Sequence, residues 1–232
     1  MEKLKRIKRF FKLAMLVAAC CSMSAKGQVL VDTVSLAHTE GLNLGPVISF
    51  SEVEYKDKDD NTGKIERNTL GLSFVYKLNP QVGLLFQAGD TYKATYKGRG
   101  TYNNRVDGTM FGGGLNFVMY KYDNVAFIGY GLINYVTDSF DKPTFDVNVT
   151  DIHVGAITAV KGTDTVTFYG AVDLVPYSKG TLKYDRFNVD VQRDEIVNLK
   201  LGLDFTLPGI DIKPEVTLLG EKAVTLTASF VM

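Results

Sequence analysis

Two histidines, His38 and His153, are the only ones among 232 residues, and imidazole is the side chain best suited to exchange protons near neutral pH. His153 follows Asp151 by two positions, so in an extended segment both side chains share a face and the carboxylate could orient the ring. A buried histidine hydrogen-bonded to its neighbours gives the same pattern without chemistry, and that is the reading adopted: no catalytic residue is assigned and the chain is not expected to be an enzyme. The segment Asp57-Lys-Asp-Asp-Asn-Thr-Gly63 has the carboxylate density of a calcium loop. Its glycine falls one position late and its twelfth position is Asn68 rather than glutamate, so a solvated loop is expected instead. No phosphate-binding loop, zinc spacing or nucleophile elbow occurs. No cofactor and no metal site are therefore expected.

The remaining charges with informative spacing are Lys200, Asp204, Asp211, Lys213 and Glu215, and what must position them is a strand. Val197-Asn-Leu-Lys-Leu-Gly-Leu-Asp-Phe-Thr-Leu207 alternates apolar and polar residues throughout. That run exceeds what a half-buried strand needs and suits one that crosses a bilayer at a tilt. The pattern recurs. Leu42, Leu44, Pro46, Ile48 and Phe50 oppose Asn43, Gly45, Ser49 and Ser51; Leu70 to Tyr76, Val82 to Ala88 and Phe111 to Met119 behave alike. Val125 to Val136 is apolar on both faces, and the strand from Val147 to Val160 changes phase around Asp151. Val166 to Leu174, Ile210 to Leu218 and Val224 to Phe230 complete about ten strands.

Connections alternate in length. Tight links are expected at Asn79-Pro80, Asp123-Asn124, Gly162-Thr163-Asp164 and Pro208-Gly209. Longer polar links are expected at Lys56 to Lys64, Lys97 to Arg105, Asp138 to Thr144 and Ser178 to Asp194, and a short one at Gly220-Glu221-Lys222.

The N-terminus carries Lys3, Lys5, Arg6, Lys8, Arg9 and Lys12 before an apolar run that is too short to span a bilayer as a helix. A cleaved signal peptide over residues 1–27 is expected, then a periplasmic segment 28–41 and a barrel over 42–232. Val17-Ala-Ala-Cys20 also fits a lipobox, which would tether the chain through Cys20. Lys plus Arg equals Asp plus Glu at 26 each, and seven of the basic residues, Lys26 included, sit in the leader, so no basic stripe is available for nucleic acid.

Over nearly all of the mature length the pattern resembles the small Gram-negative outer-membrane β-barrel (porin-like) proteins. The resemblance rests on the alternation, on Phe127-Ile-Gly-Tyr-Gly-Leu-Ile-Asn-Tyr135 and on the final strand, although the family's last residue is typically aromatic and this chain ends Phe230-Val-Met232. It implies an all-β, antiparallel, up-and-down transmembrane barrel, with ten strands preferred to eight, in the outer membrane and in contact with its lipid. The function expected is structural or narrow-pore, with a solute or surface partner met through the outer loops. A lipid-anchored or soluble β-domain acting as a binding or adhesion module is the alternative. Two residue patterns favour lipid: glycines on the polar face (Gly71, Gly83, Gly89, Gly112, Gly114, Gly202), as in a crowded lumen, and tyrosines near strand ends (Tyr55, Tyr76, Tyr92, Tyr120, Tyr122, Tyr135, Tyr177), as in membrane girdles.

In such a barrel Lys200 must face the lumen, because a lysine on the lipid face costs about 2–4 kcal/mol at the midplane. A turn centred on Pro208-Gly209 then sets Asp204 opposite Lys213 and Lys200 diagonal to Glu215. A lumen network of Lys200, Asp204, Lys213 and Glu215 is expected, joined by Asp173 and Asp211.

Overall fold

The computed structural model describes residues 42–98, 101–104, 106–141, 144–184 and 187–231. The leader, Cys20, the 28–41 segment and His38 lie outside them. Twelve strand segments occur among the described residues: β1 Leu42–Asp57, β2 Thr62–Asn79, β3 Val82–Lys97, β4 Thr101–Asn104, β5 Val106–Tyr122, β6 Val125–Asp141, β7 Thr144–Thr163, β8 Val166–Tyr184, β9 Phe187–Arg193, β10 Val197–Leu207, β11 Ile210–Leu219 and β12 Lys222–Val231. All pairings are antiparallel, and β12 pairs with β1 (Asn43 opposite Val231), so the sheet closes. Both β4 and β5 pair with β3, and both β9 and β10 pair with β8, so each couple forms one stave of a ten-stave barrel.

The lower rim carries two-residue turns, each with local chemistry that closes it. Gly209 takes φ +81° after Pro208, whose ring pre-sets the preceding position. Asn79 Oδ1 accepts the amides of Gln81 (2.8 Å) and Val82 (3.0 Å).

Below mid-height the staves present apolar residues outward and polar residues inward. Leu70, Leu72, Phe86, Phe111, Leu115, Phe117, Ile133, Phe168, Val172 and Leu201 are exposed, while Asn43, Ser49, Ser73, Gln87, Asn116, Lys200 and Thr227 are buried. In β2 the outward apolar run is Leu70 to Leu78, which at about 3.4 Å per residue and a tilt near 40° rises roughly 20 Å, close to the apolar height of an outer-membrane barrel. Tyr76, Tyr120, Tyr122 and Phe127 ring its lower edge, with Tyr120 and Tyr122 stacked at 6.5 Å. Tyr55 departs from the girdle expectation. It points inward and is 4% exposed.

Higher up the polarity inverts. Val53, Ile65, Ala94, Phe140, Phe145, Val147 and Val149 turn inward into a buried cluster in which Phe140 and Phe145 stack at 4.2 Å. The outer face there carries cross-strand ion pairs, Lys64 with Glu54 at 2.8 Å and Lys97 with Glu66 at 2.5 Å. These strand tops form a head built like a water-soluble barrel, with its own apolar core.

The inversion corrects the expected long loops. Lys56 to Lys64 is a turn between two strand ends; among the described residues, Lys97 to Arg105 holds the end of β3 and β4, Asp138 to Thr144 the tips of β6 and β7, and Ser178 to Asp194 the top of β8 and β9. Their outward polar residues looked like loop composition because the strands continue into water. The phase change at Asp151 on β7 marks this boundary.

The head also has fewer staves. β11 and β12 end lower than their neighbours, at the turn of Gly220 (φ +72°) and Glu221. β9 leans over that turn and pairs directly with β1, Tyr55 opposite Arg193 and Asp57 opposite Val191. The backbone N–H of Asp194 donates to the Glu54 carbonyl (3.0 Å) at the step. Ten staves below become eight above.

Candidate functional site

Where the two sections meet, buried charges span the lumen in one connected layer. Arg67 on β2, 1% exposed, donates from Nε to Asp138 on β6 and from Nη1 to the Tyr55 hydroxyl oxygen at 3.4 Å. Next to Tyr55, Arg193 donates from Nε to Asp151 Oδ2 at 2.6 Å and from Nη1 to Glu221 Oε2 at 2.5 Å. The Glu221 amide donates to Asn198 Oδ1 (2.8 Å), and Asn198 Nδ2 donates to Asp173 Oδ2 (2.8 Å). His153 Nδ1 lies 2.9 Å from that same Asp173 oxygen, and Tyr130 hydrogen-bonds Asp173 as well. The layer draws on both ends of the described chain, from β1 to the β11–β12 turn. Guanidinium forks suit it, because each cation meets more than one acceptor in a dry setting.

The residues expected from sequence lie just below. The register sets Phe205 opposite Ile212 and Gly202 opposite Glu215. Lys213 Nζ stands 3.8 Å from Asp204 and 3.8 Å from Asp211, and Lys200 Nζ stands 3.8 Å from Glu215. Lys213 also donates to Ser229 Oγ at 3.4 Å. Asp173 joins the layer above through His153 and Asn198, and interacts electrostatically with Lys200. Arg67, Arg193, Asp138 and Glu221 were absent from the sequence assignment. Arg67 was within reach of it, since it continues the inward series of Thr69, Gly71 and Ser73 by two; Arg193 and Glu221 stood in segments read as links.

Crowding closes what the charges leave. A Cβ on Gly155 would meet the Tyr130 ring, one on Gly202 the Tyr169 ring, and one on Gly112 the Asn134 and Gln87 side chains, which hydrogen-bond each other over that glycine from the flanking strands β6 and β3. The inward residues Ala126, Ile128 and Tyr130 of β6 pack with Val75, Leu85 and Ile157, which is why that strand reads apolar on both faces. In this setting Lys213→Met should cost about 1–3 kcal/mol by leaving buried carboxylates without their cation. The urea midpoint of the folded band on gels should report the loss.

His153 is wholly buried, and its ring contact is a carboxylate rather than a hydroxyl or thiol. The Asp57 carboxylate serves its own turn, with Oδ1 accepting the amides of Asp59 (2.8 Å) and Asn61 (2.9 Å).

No family model matches the chain, and no curated protein does. Solved structures do match. The translocator domain of the autotransporter NalP from Neisseria meningitidis is similar at 12% identity and a TM-score of 0.50, over 86% of this chain and 92% of that one. The outer membrane protease OmpT from Escherichia coli is similar at 6% identity and a TM-score of 0.50, over 83% and 96%. The outer membrane protein OprG from Pseudomonas aeruginosa reaches 12% identity and a TM-score of 0.47, over 85% and 99%. Identities this low speak to fold alone. Closed, antiparallel, ten-staved, polar within and apolar around its lower half, the chain has the fold of the Gram-negative outer-membrane β-barrels.

Proposed function

We propose that the protein is a non-catalytic outer-membrane barrel whose lumen is closed to general diffusion, serving as a structural membrane element with no more than a narrow polar path. The observation that carries this reading is the connected layer from Asp138 and Arg67 through Arg193 to Asp173, in which the charges are spent on one another across the lumen. Barrels of this strand number are narrow enough for side chains to fill, whereas open channels are typical of sixteen or more strands. The burial of His153 supports the absence of catalysis. The head, with its ion-paired outer face, stands in water on the outer side, since bacterial barrels keep their tight turns and chain ends toward the periplasm.

Six buried carboxylates (Asp138, Asp151, Asp173, Asp204, Asp211, Glu221) face four buried arginine and lysine side chains (Arg67, Arg193, Lys200, Lys213) and His153 among the described residues. Any narrow path therefore favours cations over anions. Purified protein in planar bilayers is expected to leave the membrane electrically silent or to give small cation-selective steps. Large, non-selective, long-lived steps would refute the closed lumen. Heating before electrophoresis should shift the band, as for a detergent-resistant closed barrel.

A further inference from the structure

The head does not end flat. Above the charged layer its core opens into a cup of about 530 Å³ lined by Tyr55, Ile65, Tyr96, Phe145, Val147 and Val191. Phe145 meets Tyr96 edge-on at 5.3 Å and stacks on Phe140, so the aromatic surfaces are held by packing. Three further apolar side chains line the cup and stay open to water: Tyr184 is 45%, Phe187 70% and Val189 38% exposed. On a head whose outside is covered by ion pairs, that concentration of uncovered apolar surface at one opening is the exception.

We propose that this cup binds a small, mainly apolar organic molecule carrying a cationic or neutral polar end. Its volume is that of a small-molecule site, and its lining, mostly aromatic and branched aliphatic with few polar groups, is the composition such sites use. The charged side chains on the lining are Asp57 and Asp59. Lys58, the nearest cation along that turn, is drawn away to Asp190 at 2.7 Å. An anionic end would meet carboxylates, whereas an ammonium would meet a complementary rim and aromatic faces that attract cations. Beneath the cup, Arg67 and Arg193 are engaged with their carboxylates, so the molecule is held rather than passed through. The proposal rests on the reading of the head as standing outside the membrane.

The test is equilibrium dialysis of the full chain in lipid nanodiscs against 1-naphthylmethylamine, with empty nanodiscs as blank and 1-naphthoate as the anionic counterpart. Saturable binding of the amine above the blank is expected, weakened about tenfold or more by Val189→Trp, which fills the cup from β9, and at least about tenfold weaker for naphthoate. Asp59→Asn should narrow the gap between the two probes. Val189→Trp must keep the heat-shifted band, which separates a filled cup from a lost fold. Amine uptake no greater than the blank, or uptake indifferent to Val189→Trp in folded protein, would overturn the site. Equal binding of naphthoate would overturn its charge preference. If the wild-type chain bound the amine yet showed no heat-shifted band, the membrane reading would fall and the cup would stand.

Discussion

Arg193→Ala should cost about 3–5 kcal/mol and remove the heat-resistant compact form, because it strips the shared cation from two buried carboxylates at once. Asp151 and Glu221 are 2% and 3% exposed, and both oxygens that accept from Arg193 would be left in a dry lumen. The damage is not confined to electrostatics. Arg193 ends β9 where it crosses above the β11–β12 turn, so its side chain ties the upper ring to the last hairpin. Adding Asp151→Asn and Glu221→Gln to Arg193→Ala removes the unpaired charges and should restore a large part of the loss. An unchanged urea midpoint in the single variant would mean that the three groups are hydrated and the layer is not a seal.

The second large effect is expected on the outside, and it depends on height. Leu72 is 54% exposed within the β2 apolar run. In lipid, Leu72→Arg should cost about 2–4 kcal/mol, the range for a cation at the midplane of a barrel's lipid face. Ser139, exposed on β6 within the head, should accept arginine with a change within about 0.5 kcal/mol, as surface positions do. Unfolding both variants from lipid vesicles compares them directly. Equal tolerance at the two positions would show that the lower belt faces water too, which would return the chain to the soluble β-domain alternative.

Legibility in the sequence followed the same boundary. Below it alternation set the inward and outward faces of Leu42 to Phe50, Leu70 to Tyr76, Val166 to Leu174 and Val197 to Leu207, whereas β6, with Ala126, Ile128 and Tyr130 packed inward, gave no such signal. Above it the rule reverses. Glu52, Glu54, Lys64 and Glu66 face water while Val53 and Ile65 face the core, so the staves lost their signature just where they left the lipid and were read as loops. The lower ion pairs were legible because Pro208-Gly209 fixes a two-residue turn and hence the register of Asp204 against Lys213. The upper layer was not, because Arg67 meets Asp138, and Arg193 meets Asp151 and Glu221, between strands that are not joined by a hairpin turn, and no local spacing records such pairs.

The short last hairpin has a consequence for the order of assembly. The upper ring is sealed by β9 on β1, between residues that all precede Asp194, whereas the lower ring waits for β12. The head can therefore close on itself while the final hairpin is still unplaced, forming a smaller loop at lower entropic cost. In that order the last two staves would enter a frame whose width is already set, with the Arg193–Glu221 pair formed last.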